Sequence, residues 1–251
     1  MSFVAVIPAR YASTRFPGKP LIDLAGKAMV VRVAEQAARS AAREVVVATD
    51  DPRIRDVCVA AGVRVAMTRS DHATGTDRLS EVALALRLSD DDVVVNVQGD
   101  EPEIPPAAIN RVAEVLRQDS QASIATLCHP IHDVADAQNP NVVKCVVGDD
   151  GHALYFSRAP IPYARDAWPE GRVNGMPAAL PMYRHIGLYA YRASFLRVFP
   201  GLSVPAIERF ESLEQLRALA HGYRIAVAVV NEPLPPGVDT PEDYARLLAR
   251  Q

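Results

Sequence analysis

Short runs of apolar, often β-branched residues alternate with helix-patterned segments through the first half of this chain, and that alternation leaves few folds open. Residues 3–7, 44–48, 63–67 and 93–97 each read as a strand, being too short for a helix and dominated by valine, alanine and isoleucine. Helical spacing of apolar residues predicts helices over 29–40, 52–61, 77–87 and 105–117. Gly62 supplies a helix stop, and Pro105 begins its helix where a missing N–H costs nothing. Strands of this kind need cover on both sides. The pattern therefore predicts a Rossmann-like α/β fold, a mostly parallel sheet with helices on both faces. Ligands of such sheets gather beyond the carboxyl ends of the strands. That singles out the loops after Ile7, Met67 and Val97.

The second half is less regular. Residues 153–157, 186–191 and 225–230 read as strands, and 207–219 and 241–250 as helices. Residues 160–181 carry prolines at 160, 162, 169, 177 and 181, too long a connection to be ordinary. The 251 residues are thus expected to form one domain with an inserted arm. A net charge of −3 argues against broad binding to nucleic acid or to an anionic membrane. Three cysteines without CxxC spacing suit a reducing cytosol rather than a disulfide framework or a zinc cluster. With no signal-like start and no run long enough to span a bilayer, a cytoplasmic setting is expected.

The loop at 9–19 carries Arg10, Arg15, Lys19, Ser13, Thr14 and Gly18. Only three lysines stand against 24 arginines, so a lysine here goes against the composition. Backbone N–H groups and hydroxyls there can hold phosphate oxygens while Arg10 and Lys19 neutralise charge. A basic surface loop is the plain alternative, which the position after strand one disfavours. Neither a Walker A spacing nor a dinucleotide fingerprint occurs. The run at 98–102, Gln98-Gly99-Asp100-Glu101-Pro102, puts an acid at a strand end, where Mg²⁺ takes one or two carboxylates plus substrate phosphates. Asp90, Asp91 and Asp92 precede their strand and read as a solvated turn. Asp239 or Thr240 reads as the N-cap before Pro241, a cap being the better local reading of Asp239, which ligates a metal only if the fold carries it to Asp100. His185 and Tyr189, four apart on a strand, share a face. Glu208, Glu211 and Glu214 at helical spacing read as a solvated face.

Taken in order, the stretches 7–21, 71–78, 96–102, 155–158, 184–189, 213–217 and 238–243 resemble the 3-deoxy-manno-octulosonate cytidylyltransferases over nearly the whole chain. The Tyr11-Ala12-Ser13-Thr14-Arg15 version of the first loop is similar to the branch acting on 3-deoxy-manno-octulosonate (Kdo), the sialic acid branch being richer in glycine there. The resemblance implies a nucleotidyltransferase fold and a reaction in which CTP and Kdo give CMP-Kdo and pyrophosphate with Mg²⁺, on the way to lipopolysaccharide. It implies that Arg10 and Lys19 bind the triphosphate and with Asp100 serve catalysis, Lys19 stabilising the developing charge, that Ser13 holds phosphate or base, that Arg69 and Gly75 fix cytosine, and that Asp100 and Asp239 ligate Mg²⁺. It further implies that Arg15, Arg78, Gln98, Arg158, His185, Tyr189, Glu214 and Gln215 surround the sugar acid, and that residues 149–192 contribute to a homodimer. Under it Glu214 leaves the solvated-face reading, which stands for Glu208 and Glu211. A different ulosonic acid, or a non-catalytic nucleotide-binding module, are the alternative readings.

Overall fold

The protein is described by a computed structural model over residues 3–12, 16–169 and 172–250. Its first half follows the expected alternation. Strand β1 (Phe3–Ala9) leads through a small hairpin, β2 (Asp23–Leu24) and β3 (Lys27–Ala28), to helix α1 (Met29–Ala38). Then come β4 (Ala42–Thr49), α2 (Pro52–Ala60), β5 (Arg64–Met67), α3 (Gly75–Ala85), β6 (Val93–Asn96) and α4 (Pro106–Gln118). Pro52 and Pro106 occupy first turns, and Gly62 has φ +73° just beyond α2. The second half contributes β7 (Ala122–Pro130), α5 (Val134–Gln138), β8 (Lys144–Val147), β9 (Ala153–Ser157) and β10 (Tyr183–Arg192). It ends with α6 (Ala193–Val198), α7 (Ala206–Glu211), α8 (Gln215–Ala220), β11 (Arg224–Val229) and α9 (Pro241–Leu248).

The main sheet runs β11-β7-β10-β6-β1-β4-β5, with β8 and β9 attached beside β10. It is mixed rather than mostly uniform. β1 is parallel to β4 and β6, and β11 to β7, but β10 runs antiparallel between β6 and β7. Alternation along β1 divides the core. Phe3, Ala5 and Ile7 pack under α1 and α4, whereas Val4 and Val6 pack against residues of α3, α6 and α8. Both faces are therefore covered, as the sequence pattern requires.

Two differences matter for function. The helix expected over 207–219 is broken into α7 and α8, because Ser212 takes the left-handed conformation, φ +51° and ψ +49°. The proline-rich arm is also not loose chain. Trp168 is buried in it, its Nε1–H donating to the Gly175 carbonyl at 2.6 Å and the Tyr163 hydroxyl donating to its own carbonyl at 2.5 Å. Ile131, Ala137, Val142 and Met182 close a satellite core around it, so the arm packs on its own chain.

Candidate active site

The carboxyl ends of β1 and β6 open into a cleft of about 360 Å³ lined by Pro8, Arg10, Lys19, Gly75, Gln98 and Asp100 among others. The two strands are parallel neighbours, so the loops that follow them meet. Gly99 is required there. A Cβ on it would lie 2.8 Å from the Pro8 carbonyl oxygen. Gly18, at φ +75°, donates its N–H to the Tyr11 carbonyl and turns the chain into a short 3₁₀ helix, Lys19–Leu21. Lys19 Nζ then reaches Asp100 Oδ2 at 2.6 Å and Asp239 Oδ1 at 3.3 Å. Residues 100 and 239, far apart in sequence, thus flank one positive charge at the floor of the cleft.

The local reading of Asp239 as a cap is overturned. Thr240 caps α9, with its side chain accepting from the Asp243 N–H in a reciprocal capping box. The Val238 N–H donates to the Asp100 carbonyl at 2.8 Å, which splices this segment onto the end of β6. Glu101, which the sequence reading quoted without a role, is the third acid here. Burial first, and then the charges of Asp100 and Asp239, push its carboxyl up to about 8. The signal was its place beside Asp100.

Arg10 fastens the β5–α3 loop to the cleft, its Nη2 donating to the carbonyls of His72 at 2.8 Å and Thr74 at 3.1 Å. Thr74 caps α3 through a box with Asp77, so Gly75 opens the helix at the cleft wall. Arg69 lies instead beside a neighbouring hollow with His72 and Glu81, exposed and paired with Asp71 at 2.8 Å. Ser13 and Arg15 lie outside the described residues.

A second cluster adjoins the cleft beyond Gln98, whose Nε2 donates to the Gly187 carbonyl at 3.4 Å. Tyr189 stands opposite Asn96 of β6, and its ring lies 5.2 Å from that of His185 on the same face of β10. His185 Nε2 is 3.0 Å from Thr126 Oγ1, and burial lowers its pKa to about 3, so the ring is neutral. Burial likewise raises the Tyr189 and Tyr191 hydroxyls. Glu214 accepts from the Thr76 hydroxyl on the first turn of α3, and burial raises its carboxyl against the opposing pull of hydrogen bonds from Thr74 and Thr76. Gln215 is buried, and its Nε2 has no hydrogen-bond partner among the described residues.

Two arginines of the set are otherwise engaged. Arg78 is fully buried, bonded to the Thr68 hydroxyl and 3.0 Å from Asp50, and so ties the ends of β4 and β5 together. Arg158 donates to the Glu211 carbonyl at 2.6 Å and the Pro140 carbonyl at 2.9 Å. The solvated-face reading of Glu208 and Glu211 fails. Glu208 is buried in a two-bond pair with Arg217, at 2.6 and 2.8 Å, and Glu211 accepts from the Ser157 hydroxyl and the Arg158 amide. Both acids lie on α7, before the break at Ser212, on a face that packs against Arg217 of α8 and the end of β9.

No group of three or more His, Cys, Asp or Glu side chains among the described residues forms a metal cage. Two carboxylates on one cation leave the remaining positions to phosphate and water, the donor set that suits Mg²⁺. No helix among the described residues is long and apolar enough to cross a membrane.

Solved structures share this fold. A solved structure of CMP:2-keto-3-deoxy-manno-octonic acid synthetase complexed with CTP is 42% identical, with a TM-score of 0.90 over 100% of this chain and 98% of that one. A cytidylyltransferase from Leptospira borgpetersenii superposes with a TM-score of 0.62 at 17% identity, covering 99% of this chain and 86% of that one. A 4-diphosphocytidyl-2C-methyl-D-erythritol synthase does so with 0.64 at 14%, covering 99% and 97%. These two speak to the fold alone. The cytidylyltransferase family model matches residues 4–225. Spanning most of the sequence and both halves of the sheet, that match and the site geometry agree, and the chain belongs to the cytidylyltransferase family.

Proposed function

We propose that this chain transfers the cytidylyl group of CTP to 3-deoxy-manno-octulosonate, giving CMP-Kdo and pyrophosphate for lipopolysaccharide synthesis. The observation that carries the reading is the pair of distant carboxylates, Asp100 and Asp239, meeting on Lys19 beside the Arg10 loop. A floor of that charge pattern suits a divalent cation bound with a polyphosphate. Asp100 and Asp239 would hold Mg²⁺. When bound, the ion supplies polarisation of the α-phosphate and neutralises charge on the leaving pyrophosphate.

The chain's own residues do the rest by positioning and charge. Lys19, at the floor of the cleft, would neutralise charge on the triphosphate. Arg10, with Ser13 of the same loop, lines its path. Gly75 lets the cytosine approach the start of α3, with Arg69 at its rim. Gln98, His185, Tyr189, Glu214 and Gln215 form the sugar-acid half with Arg15, while Arg78, buried between the ends of β4 and β5, and Arg158, held by backbone carbonyls, support it from outside the pocket. His185, neutral, offers a hydrogen bond rather than a charge, and the unpartnered Gln215 amide offers another. The C2 hydroxyl of the sugar acid attacks the α-phosphorus in line with the departing pyrophosphate, and no protein nucleophile is needed. Residues 149–192 are proposed to contribute to a homodimer, a reading supported by exposed Leu154 and Tyr163 within them. A cytoplasmic setting fits substrates of this kind.

Pyrophosphate release tests the assignment, run with CTP against a panel of ulosonic acids and with other nucleotides. Turnover requiring CTP, Kdo and Mg²⁺ is expected, and Asp100→Ala should lower kcat by about 10³-fold or more with the fold retained. Turnover with another ulosonic acid but not Kdo would move the assignment to that acid. Full activity of Asp100→Ala would remove the metal role.

A further inference from the structure

The elbow between α7 and α8 is held by a residue to which the proposed reaction gives no part. Glu211, the last residue of α7, accepts from the Ser157 hydroxyl at 2.5 Å through Oε1 and from the Arg158 amide at 2.9 Å through Oε2. Arg158 answers in the other direction. Its Nε donates to the Glu211 carbonyl at 2.6 Å, its Nη2 to the Ser212 carbonyl at 3.4 Å and its Nη1 to the Pro140 carbonyl at 2.9 Å. The Glu211 and Ser212 carbonyls are orphans of a helix end, and Ser212 itself bears the steric cost of φ +51° with a side chain in place. Without a clamp, that conformation would relax. Two residues later Glu214 meets Thr76, and Gln215 turns its unpartnered amide inward.

We infer that Glu211 is a positioning residue for the sugar-acid half of the site, fixing the Ser212 elbow through Ser157 and Arg158 so that Glu214 and Gln215 stand at the pocket. This inference rests on the reading of the site as one for a ulosonic acid. Among the described residues Glu211 bonds to Ser157 and Arg158 and to none that lines the nucleotide cleft, so its removal acts on one substrate and spares the other. Arg158, engaged by three backbone carbonyls, then serves the elbow first.

The test combines kinetics with amide hydrogen exchange on the full-length protein. In Glu211→Ala, the KM for Kdo, or for whichever ulosonic acid the wild type turns over, should rise about tenfold or more, because small misplacements of binding groups are felt steeply. The KM for CTP should stay within about twofold, which separates lost positioning from general damage. Glu211→Gln keeps one acceptor for the Arg158 amide and should recover most of the loss. Ser157→Ala, the milder lesion, should raise the sugar KM about threefold with CTP untouched. Exchange at residues 212–217 should quicken in Glu211→Ala while that of β1 and β6 does not. Equal rises in both KM values, or unchanged exchange at 212–217, would overturn the inference. A wild type inert towards every ulosonic acid would instead sink the functional reading, and the exchange result would still decide whether Glu211 holds the elbow.

Discussion

Replacing Glu208 with alanine strips a buried guanidinium of both its acceptors. In the native protein Arg217 Nε and Nη2 donate to the two Glu208 oxygens at 2.8 and 2.6 Å, with the side chains only 7% and 10% exposed. The remaining neighbours of Arg217 soften the loss. Its guanidinium lies 4.4 Å above the Phe199 ring, and the charges of Glu214 and Asp77 also favour its protonated form. Breaking one side of a buried pair costs about 3–5 kcal/mol, and these neighbours place Glu208→Ala near the lower end, at about 3. A chain of this size loses about 2–4 °C of Tm per kcal/mol, so a drop of roughly 6–12 °C is expected. Urea unfolding monitored by far-UV circular dichroism measures the free-energy loss, and a thermal melt the drop in Tm. The companion variant Glu208→Leu/Arg217→Met removes both charges and should lie within about 1 kcal/mol of wild type, since burying an ion pair is itself costly. A loss below about 1 kcal/mol in Glu208→Ala, the range of exposed pairs, would refute the account of the α7–α8 corner as built on a desolvated charge.

Gly99→Ala forces a Cβ to within 2.8 Å of the Pro8 carbonyl, so the ends of β1 and β6 must part. It should cost about 1–3 kcal/mol and weaken CTP binding, read by urea titration and calorimetry; a variant equal to wild type in both would show that the strand ends yield freely. His185 titrates at about 3 when folded, against 6.5 for an ordinary histidine, so the unfolded chain binds the extra proton between those values. Its contribution to stability is full above pH 6.5 and is lost as pH falls toward 3. Wild type should therefore lose about 2 kcal/mol more than His185→Gln on going from pH 7 to pH 5 in paired urea melts, and parallel losses would contradict a buried neutral ring.

How much could be read from the chain alone depended on how local the cause was. The strands β1, β4, β5 and β6 declared themselves because period and composition are local properties. Residues 122–130 did not, since serine, threonine, cysteine and histidine interrupt the apolar pattern of β7. The direction of β10 was equally hidden, because it is set by the pairing of Tyr189 with Asn96 on one side and Thr126 on the other. At the site, Lys19 stood out against an arginine-rich composition. Asp239 resembled a cap, and only the capping of α9 by Thr240 and the splice of Val238 onto Asp100 decide otherwise. Glu208 and Glu211 were misjudged because helical spacing tells which residues share a face and not what that face meets, and the fold brings Arg217 to one and Ser157 and Arg158 to the other.

The antiparallel β10 has a consequence for how the chain is made. β6 and β7 are joined through α4, yet they leave a gap one strand wide, and the strand that fills it begins 53 residues after β7 ends. At ribosomal speeds of about 5–20 residues per second, the slot stays open for roughly 3–10 s. Throughout that interval two central edges, not two outer ones, stay unpaired, and the line they leave open is the one beside the proposed sugar-acid pocket.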